Sequence, residues 1–271
     1  MRLWGHNLQA LRVASGTIFN EIIVWKVAPQ LDKCSSSFGE DNDRQSISLC
    51  NCCMFKDQLY GAVHVCKLIG HEGSIFRIAW SSCGSKLVSV SDDRSARVWA
   101  VPIEVEDFTR HDPTALVLFG HNARVWDCCI ADHLIVTASE DCTCRLWGVD
   151  GEQLQVIKEH IGRGIWRCMY DPNSALLITA GFDSAIRVHQ PHASVSSGLA
   201  AAPGPPDRAE TFSICIPNVL DRIGLMDSKS EYVRCLRLAS QDSLYVATNH
   251  GFLYHAKFIG ARGAQWKQLV Q

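Results

Sequence analysis

The sequence predicts an all-β protein built from repeated units that stack against one another. The first observation is a block of four residues with constant internal spacing, which occurs three times in the middle of the chain. The second is that β-branched runs alternate with turn residues inside each block. Repeats of about 40 residues cannot bury their apolar faces singly, so neighbouring units must cover one another.

Each block consists of a His, a hydroxyl residue, an Asp and a terminal aromatic residue. The hydroxyl residue lies four positions before the Asp, and the Asp lies six positions before the aromatic residue. The three sets are His71, Ser89, Asp93 and Trp99, then His121, Thr137, Asp141 and Trp147, then His160, Thr179, Asp183 and His189. We expect each set to form a buried hydrogen-bonded chain that fixes the packing of its unit, which is a structural task.

The first block shows the order of elements within a unit. An apolar run is followed by a turn cluster, a second run, a tight turn and a third run, at 75–80, 81–85, 86–90, 92–95 and 96–99. The same antiparallel meander fits 125–147 and 165–189, and weaker copies flank the blocks at 14–25 and 232–258.

The His, Ser/Thr, Asp and Trp set resembles the tetrad of WD40 repeats. This resemblance implies a β-propeller, in which each repeat is a four-stranded blade and the blades surround a channel. About five blades are recognisable, whereas about seven are usual in the family. We therefore expect an incomplete propeller, and a chain that is a piece of a longer protein or a shortened product.

The repeat spacing divides the chain into seven segments. They are 1–28 (partial blade), 31–58 (insertion loop), 59–101, 114–149 and 153–190 (blades), 191–210 (linker) and 211–271 (degenerate blade). The insertion is rich in Ser, Asp and Asn, and the linker is rich in Pro, Ala, Ser and Gly. We expect both to leave the sheets as surface loops.

Composition limits the classes of function. The formal net charge of −2 at pH 7 argues against a free-standing polyanion binder but permits a local basic patch. The sequence predicts neither a secretory signal nor a membrane span. The chain has 13 cysteines, an odd number without framework spacing, which points to a reducing compartment. We expect a cytoplasmic protein.

The cysteine clusters favour structural roles. Cys50, Cys52 and Cys53 lie in the polar insertion without a matching quartet of His or Cys, so no zinc site is assigned. Cys142 and Cys144 alternate along a predicted strand, and we expect both thiols to lie on one core face.

The sequence predicts that the chain is not an enzyme. A Ser/Thr, His and Asp set also invites interpretation as a hydrolase triad. However, the set occurs three times here, and no nucleophile elbow accompanies it. We expect no metal, no cofactor and no small-molecule substrate.

The copies share one further position, outside the structural sets. Phe76, Trp126 and Trp166 follow the block His by five, five and six residues. In a propeller this position is the top of the innermost strand, at the mouth of the channel. Because aromatic residues and Arg dominate binding hot spots, these residues predict a partner-binding surface, with inter-blade packing as the alternative. Neighbouring charged residues assigned to the same surface are Arg124, Arg163, Arg167, Asp92 and Glu140. The loop around Arg163 is also of a kind that can meet an RNA backbone.

Several phrases resemble one subgroup, the WD-repeat-containing protein 6 family. They are SGTIFNEIIVW (15–25), GHEGSIFRIAW (70–80), SDDRSARVW (91–99), GHNARVWDC (120–128), ASEDCTCRLW (138–147) and HIGRGIWRC (160–168). The resemblance implies a cytoplasmic scaffold that is the non-catalytic partner of a tRNA 2′-O-ribose methyltransferase acting on the wobble nucleotide. It also implies help in positioning tRNA, with S-adenosylmethionine bound by the partner enzyme.

Two other classes of function stay open. One is a substrate receptor of a ubiquitin ligase, and the other is a signalling or trafficking scaffold without an RNA role. Many such receptors carry Trp-Asp-x-Arg at the end of a repeat. Here Trp99 is followed by Ala100 and Trp147 by Gly148, which disfavours the receptor.

Overall fold

The computed structural model describes residues 1–7, 10–29, 53–55, 58–101, 115–191, 211–217, 231–240, 242–259 and 263–270. These residues form five antiparallel sheets, so the predicted all-β class is confirmed. No helix in these segments is long and apolar enough to cross a membrane. Most of the predicted insertion, and the predicted linker after Pro191, lie outside the described residues.

We number the sheets as blades 1 to 5 in chain order. Blade 1 has the spatial order β1 (Arg2–Trp4), β2 (Arg12–Gly16), β3 (Glu21–Pro29), β5 (Gln58–Ile69) and β4 (Cys53–Phe55). Blade 2 contains β6 (Ile75–Trp80), β7 (Lys86–Ser91), β8 (Ala96–Ala100) and β9 (Ala115–Leu118). Blade 3 contains β10 (Val125–Ile130), β11 (Leu134–Ser139), β12 (Cys144–Gly148) and β13 (Gln153–Ile157). Blade 4 contains β14 (Ile165–Asp171), β15 (Leu176–Gly181), β16 (Ala185–His189) and β17 (Thr211–Cys215). Blade 5 contains β18 (Val233–Ser240), β19 (Ser243–Thr248), β20 (Leu253–Ile259) and β21 (Gly263–Val270).

The blades meet through their first strands. β6 packs against β1 and β10, β10 packs against β14, and β14 packs against β18. Meanders whose first strands adjoin in this way have the propeller arrangement that the sequence predicted.

The blades are offset by one strand from the predicted segments. The repeat spacing assigns β5 to 59–101, but β5 pairs with β3 and belongs to blade 1. It assigns β13 to 153–190 and β17 to 211–271, but these strands pair with β12 and β16 and complete blades 3 and 4. The reason is that an antiparallel strand pairs with the free edge that the preceding strand leaves. The outer strand of each blade is therefore encoded at the start of the next repeat.

The apolar core is divided among the gaps between blades. Four clusters of buried side chains lie between successive blades of the described structure. Strand alternation supplies both faces of a blade, since Leu87 belongs to the cluster between blades 1 and 2 and Val88 to the next cluster. Each blade is thus covered by its neighbours.

The tight turn between the second and third strands repeats in four blades. The residue after the block Asp position has a left-handed backbone at Asn20, Arg94, Cys142 and Ser184, with φ of 61°, 67°, 65° and 60°. The prediction that Cys142 shares a core face with Cys144 is therefore wrong. Cys142 occupies the turn, and Cys144 alone is buried at the start of β12. The nine cysteines whose side chains are described are all free thiols.

Candidate functional site

The first predicted tetrad is a continuous hydrogen-bonded chain. Trp99 Nε1 lies 2.8 Å from Ser89 Oγ, which lies 2.7 Å from His71 Nε2. His71 Nδ1 lies 2.8 Å from an Asp93 carboxylate oxygen. An indole only donates and a carboxylate only accepts, so the donors run in one direction from Trp99 to Asp93.

The other two tetrads have the same connections. In the second set the corresponding distances are 2.9, 2.7 and 3.0 Å. In the third set His189 replaces the Trp, and its Nε2 lies 2.9 Å from Thr179 Oγ1. His160 continues the chain at 2.8 Å to Thr179 and 2.9 Å to Asp183. The same direction of donation requires His189 to carry its proton on Nε2.

The tetrads fix the charge states of their members. Burial would raise the pKa of Asp93, but hydrogen bonds from His71 and Ser95 outweigh it and hold this pKa well below its usual value. The same balance lowers the pKa of Asp141. Burial lowers the pKa of His189 to about 3, so its ring is neutral near pH 7. The tetrads therefore hold ionised carboxylates and a neutral His189.

A stack of aromatic rings crosses the first strands of blades 2 to 5. The ring centroids of Phe76 and Trp126 are 4.5 Å apart, and those of Trp126 and Trp166 are 4.4 Å apart. Phe182 extends the stack at 4.9 Å from Trp166, and Tyr232 lies 4.9 Å from Phe182. The three predicted aromatic residues are thus in contact with one another. We call these five residues the aromatic ladder.

A β-bulge at the start of the first strand in blades 2 to 4 places three of the ladder residues. Phe76, Trp126 and Trp166 each lie at a register shift between the first and second strands of their blades. A bulged residue leaves the regular pairing, which re-aims its side chain. The equivalent shift in β18 contains Arg234. In blades 2 to 5 a bulge at the same position therefore presents one side chain per blade at this surface.

Two arginines lie on ladder rings. The Arg124 guanidinium is 5.5 Å from the Trp126 ring centroid, and it forms ion pairs with Asp92 at 3.2 Å and Glu140 at 2.9 Å. These three predicted charged residues are therefore joined. Arg234 lies 5.2 Å from the Trp166 ring centroid. In the part of the chain that the structure describes, no carboxylate forms an ion pair with Arg234.

Two other predicted arginines do not join the ladder. Arg163 is exposed on the loop before β14, and none of the ion pairs or ring contacts of the described residues includes it. Arg167 contacts the neighbouring first strands, because its Nε donates to the Arg234 carbonyl at 2.7 Å and its Nη1 lies 4.0 Å from Asp127. Arg167 is the residue after the bulge, where the regular strand pairing resumes. Its guanidinium therefore bonds to groups on the neighbouring first strands. Its role in partner binding stays a prediction.

Three members of this surface were missed in the sequence. Phe182 occupies the position before the block Asp that Asp92 and Glu140 occupy in their copies. Tyr232 and Arg234 occupy the positions of Arg124 and Trp126, with the aromatic residue and the cation exchanged. Aligning blade 5 on its strands would have found them. Blade 5 lacks a tetrad, so the block spacing offered no fixed position from which to make that alignment.

The ladder has unused binding capacity. Its bulged rings Phe76, Trp126 and Trp166 are half-buried, and the indole N–H groups of Trp126 and Trp166 have no acceptor among the described residues. The ring faces provide stacking, and the guanidinium groups of Arg124 and Arg234 provide hydrogen-bond donors. The arrangement can bind a planar or acidic group of a partner.

The structure offers no metal centre within its described residues. No group of three or more His, Cys, Asp or Glu side chains there has the geometry to hold an ion. Cys50 and Cys52, which the sequence analysis weighed as zinc ligands, lie outside the described residues.

The propeller arrangement and the tetrads together define a WD40-repeat protein. The profile of the WD40 family (WD domain, G-beta repeat) matches residues 62–100, 114–148 and 151–190. These are the three segments that carry the complete hydrogen-bonded sets, and the chain belongs to the WD40-repeat proteins.

Within this class the chain is similar to proteins named tRNA (34-2′-O)-methyltransferase regulator WDR6. The protein from Bos taurus is 30% identical over 192 residues, which are 69% of this chain and 14% of the relative. The Homo sapiens protein gives the same values, and that from Drosophila melanogaster is 23% identical over 180 residues, covering 65% of this chain and 16% of the relative. The chain thus spans a small part of the curated relatives.

A solved structure shares the fold. The WD40 β-propeller domain of Doa1 superimposes with a TM-score of 0.57 at 15% sequence identity. The match covers 96% of this chain and 66% of that chain. At this identity the likeness concerns the fold alone.

Proposed function

We propose that this chain is a WD-repeat scaffold that acts as the non-catalytic partner of a tRNA (ribose-2′-O-)methyltransferase in wobble-position modification in the cytoplasm. The observation that carries the proposal is the similarity, over 69% of the chain, to proteins named as regulators of such an enzyme. In this proposal the partner enzyme binds S-adenosylmethionine and transfers the methyl group. This chain supplies a binding surface.

The aromatic ladder is the surface that we propose for the partner. It places contiguous rings from four blades beside Arg124 and Arg234. Binding hot spots are rich in Trp, Tyr and Arg and lie at the centre of an interface. The half-buried rings of Trp126 and Trp166 leave ring surface for such contacts, whereas their indole N–H groups are buried and lack acceptors among the described residues.

The tetrads support a non-catalytic role. The rings of His71, His121 and His160 are each hydrogen-bonded through both nitrogens, to a carboxylate and to a strand hydroxyl. Those hydroxyls in turn accept from Trp99, Trp147 or His189. A hydroxyl held in this way is not positioned as a nucleophile, because its proton is donated to the His ring, one lone pair accepts from the neighbouring ring, and the side chain is fully buried.

Affinity capture from cell lysate tests the proposal. The tagged chain is expected to recover a tRNA ribose methyltransferase, identified by mass spectrometry, together with a narrow set of tRNAs, identified by sequencing. Trp126→Ala combined with Trp166→Ala is expected to reduce enzyme recovery at least about tenfold, since two hot-spot rings are removed. Tyr245→Ala is the matched control, because this exposed ring lies in blade 5 outside the ladder.

Three results would count against the proposal. Recovery of ubiquitin-ligase subunits in place of a methyltransferase would support the substrate-receptor alternative. Recovery of neither enzyme nor tRNA by a monodisperse sample would favour a scaffold without an RNA role. A large fall in melting temperature for the double variant, with unchanged capture by the milder Phe76→Leu, would identify the ladder as inter-blade packing.

A further inference from the structure

Charged residues meet between the first strands, next to the ladder. Arg77 Nε of blade 2 lies 2.8 Å from an Asp127 oxygen of blade 3, and Arg167 Nη1 of blade 4 lies 4.0 Å from the other oxygen. The backbone N–H of Cys168 also donates to Asp127, at 3.1 Å. These three side chains follow the bulge by one residue in their strands, so they form one tier of the channel.

A second tier contains two more arginines. Alignment of the strands places Arg2 of β1 and Arg237 of β18 at the position of Ala79, two residues beyond Arg77. Arg2 Nε donates to the Ile78 carbonyl at 3.2 Å, which fixes it against blade 2. Burial lowers the pKa of Arg2, and the neighbouring positive charges of Arg77 and Arg237 lower it further. The two tiers therefore adjoin across the channel.

The charges of the channel do not balance. Four guanidinium groups face one carboxylate, so Asp127 supplies at most one negative charge against four positive charges. The Asp127 side chain is 2% exposed, whereas those of Arg77 and Arg167 are 24% and 21% exposed. An anion from solution therefore meets guanidinium groups before it meets the carboxylate. Like charges gathered in a partly desolvated site repel one another, and a bound anion relieves this repulsion.

The donor chemistry selects the class of anion. The contacts above use the Nε atoms of Arg2 and Arg77 and leave their Nη groups for other acceptors. Guanidinium groups bind phosphate oxygens through paired donors, and Arg is favoured over Lys where such paired recognition matters. Four blades each contribute one arginine to the two tiers, so these donors approach the channel from several sides.

We propose that the channel binds a phosphate group through Arg2, Arg77, Arg167 and Arg237, with Asp127 as the positioning residue that holds Arg77 and Arg167. This channel anion site is separate from the ladder and does not require the methyltransferase partner. The phosphate belongs either to a free small anion or to the end of an RNA chain. Both sources present the same oxygens to the arginines.

Calorimetric titration of the full chain with pyrophosphate tests the site. Chloride keeps the ionic strength constant. We expect pyrophosphate to bind and to raise the melting temperature. Arg237→Gln is expected to weaken binding several-fold without loss of fold, because this side chain is exposed. Adding Arg2→Gln is expected to weaken it at least tenfold. Arg94→Gln, on the exposed turn between β7 and β8, is the matched control and should leave binding unchanged.

Further arms identify the role of Asp127 and the source of the phosphate. Asp127→Asn keeps a side-chain oxygen that can accept from Arg77 and removes the only carboxylate described in the two tiers. It is therefore expected to retain the positions of the arginines and to tighten pyrophosphate binding, opposite in sign to the arginine variants. A short oligonucleotide with a 5′-phosphate that binds better than its 5′-hydroxyl form identifies an RNA end. Equal binding of the two forms, with pyrophosphate bound tightly, identifies a free anion. Equal stabilisation by chloride, or unchanged affinity in the double arginine variant, would overturn the proposal.

Discussion

Asp141 shows how much of the fold depends on one side chain. Its carboxylate accepts from His121 Nδ1 at 3.0 Å, from the backbone of Asn122 at 2.9 Å, and from the backbone and hydroxyl of Thr143 at 2.9 and 2.6 Å. Asp141→Ala strands these donors in a largely buried site. We expect the free energy of unfolding, measured by urea titration, to fall by about 3 kcal/mol.

The control for Asp141 is a second acidic residue of the same blade. Glu152 is exposed on the turn before β13, and Glu152→Ala is expected to change the free energy of unfolding by no more than about 0.5 kcal/mol. A loss as small as this in Asp141→Ala would show that the tetrad does not stabilise the fold.

His189 makes the third tetrad sensitive to acid. Its pKa is lowered to about 3 by burial and by the neighbouring charges of His160 and Arg187, whereas an unfolded His titrates near 6.5. Between these values the unfolded chain binds a proton that the folded chain does not, so stability falls as the pH falls. The slope approaches about 1.4 kcal/mol per pH unit within this window.

Replacing this ring isolates its contribution. His189→Trp restores the donor of the other two sets, since an indole N–H can donate to Thr179 and does not titrate. We expect the pH dependence of the unfolding free energy to flatten between about pH 6 and 4. The lowered pKa of His121 leaves some dependence in the variant. A pH profile identical to that of the wild type would contradict this account of His189.

At the scale of single elements, the loop before β14 sets the distance between blades 3 and 4. Gly164 has φ of +99°, and a Cβ on it would lie 2.4 Å from the Glu140 Cα. The Gly164 carbonyl also accepts from the backbone of Phe182 at 3.1 Å, which links the loop to a ladder residue. Any side chain here must push β14 away from the turn of blade 3.

Two glycine variants separate this close approach from backbone strain. Gly251 also has a left-handed backbone, with φ of +88°, but a Cβ there meets nothing within 4 Å. We expect Gly251→Ala to cost about 1 kcal/mol and Gly164→Ala to cost at least about 2 kcal/mol more. The near-ultraviolet circular dichroism of the ladder tryptophans should change only in Gly164→Ala. Equal costs in the two variants would remove the steric argument.

The sequence predicts the inner elements better than the outer ones. The strand predicted at 75–80 is β6 (Ile75–Trp80), because alternation and the tetrad spacing both anchor it. β5, β13 and β17 were placed in the wrong unit, since a repeat period does not reveal which edge a strand pairs with. The bulges that place the ladder residues could not be predicted either, because a bulge is defined by the pairing of two strands. The arginines of the channel could not be predicted from the net charge, because a total over the whole chain does not say where the charges lie.

At the scale of the whole molecule, the described blades are held together by contacts between neighbours. The four clusters of the described core each join two successive blades, and the first strands make the corresponding contacts. An array of this kind has a stability that approximates a sum of unit and nearest-neighbour contributions. Damage in one gap should therefore weaken the adjoining blades first and distant blades less.

Hydrogen exchange on two core variants tests this coupling. Leu244 is fully buried between blades 4 and 5, and Leu87 is fully buried between blades 1 and 2. Each Leu→Ala change is expected to cost about 3 kcal/mol. If coupling is local, Leu244→Ala accelerates amide exchange mainly in β14 to β21, and Leu87→Ala does so mainly in β1 to β9. Uniform acceleration through all blades in both variants would instead show that the described blades unfold as a single cooperative unit.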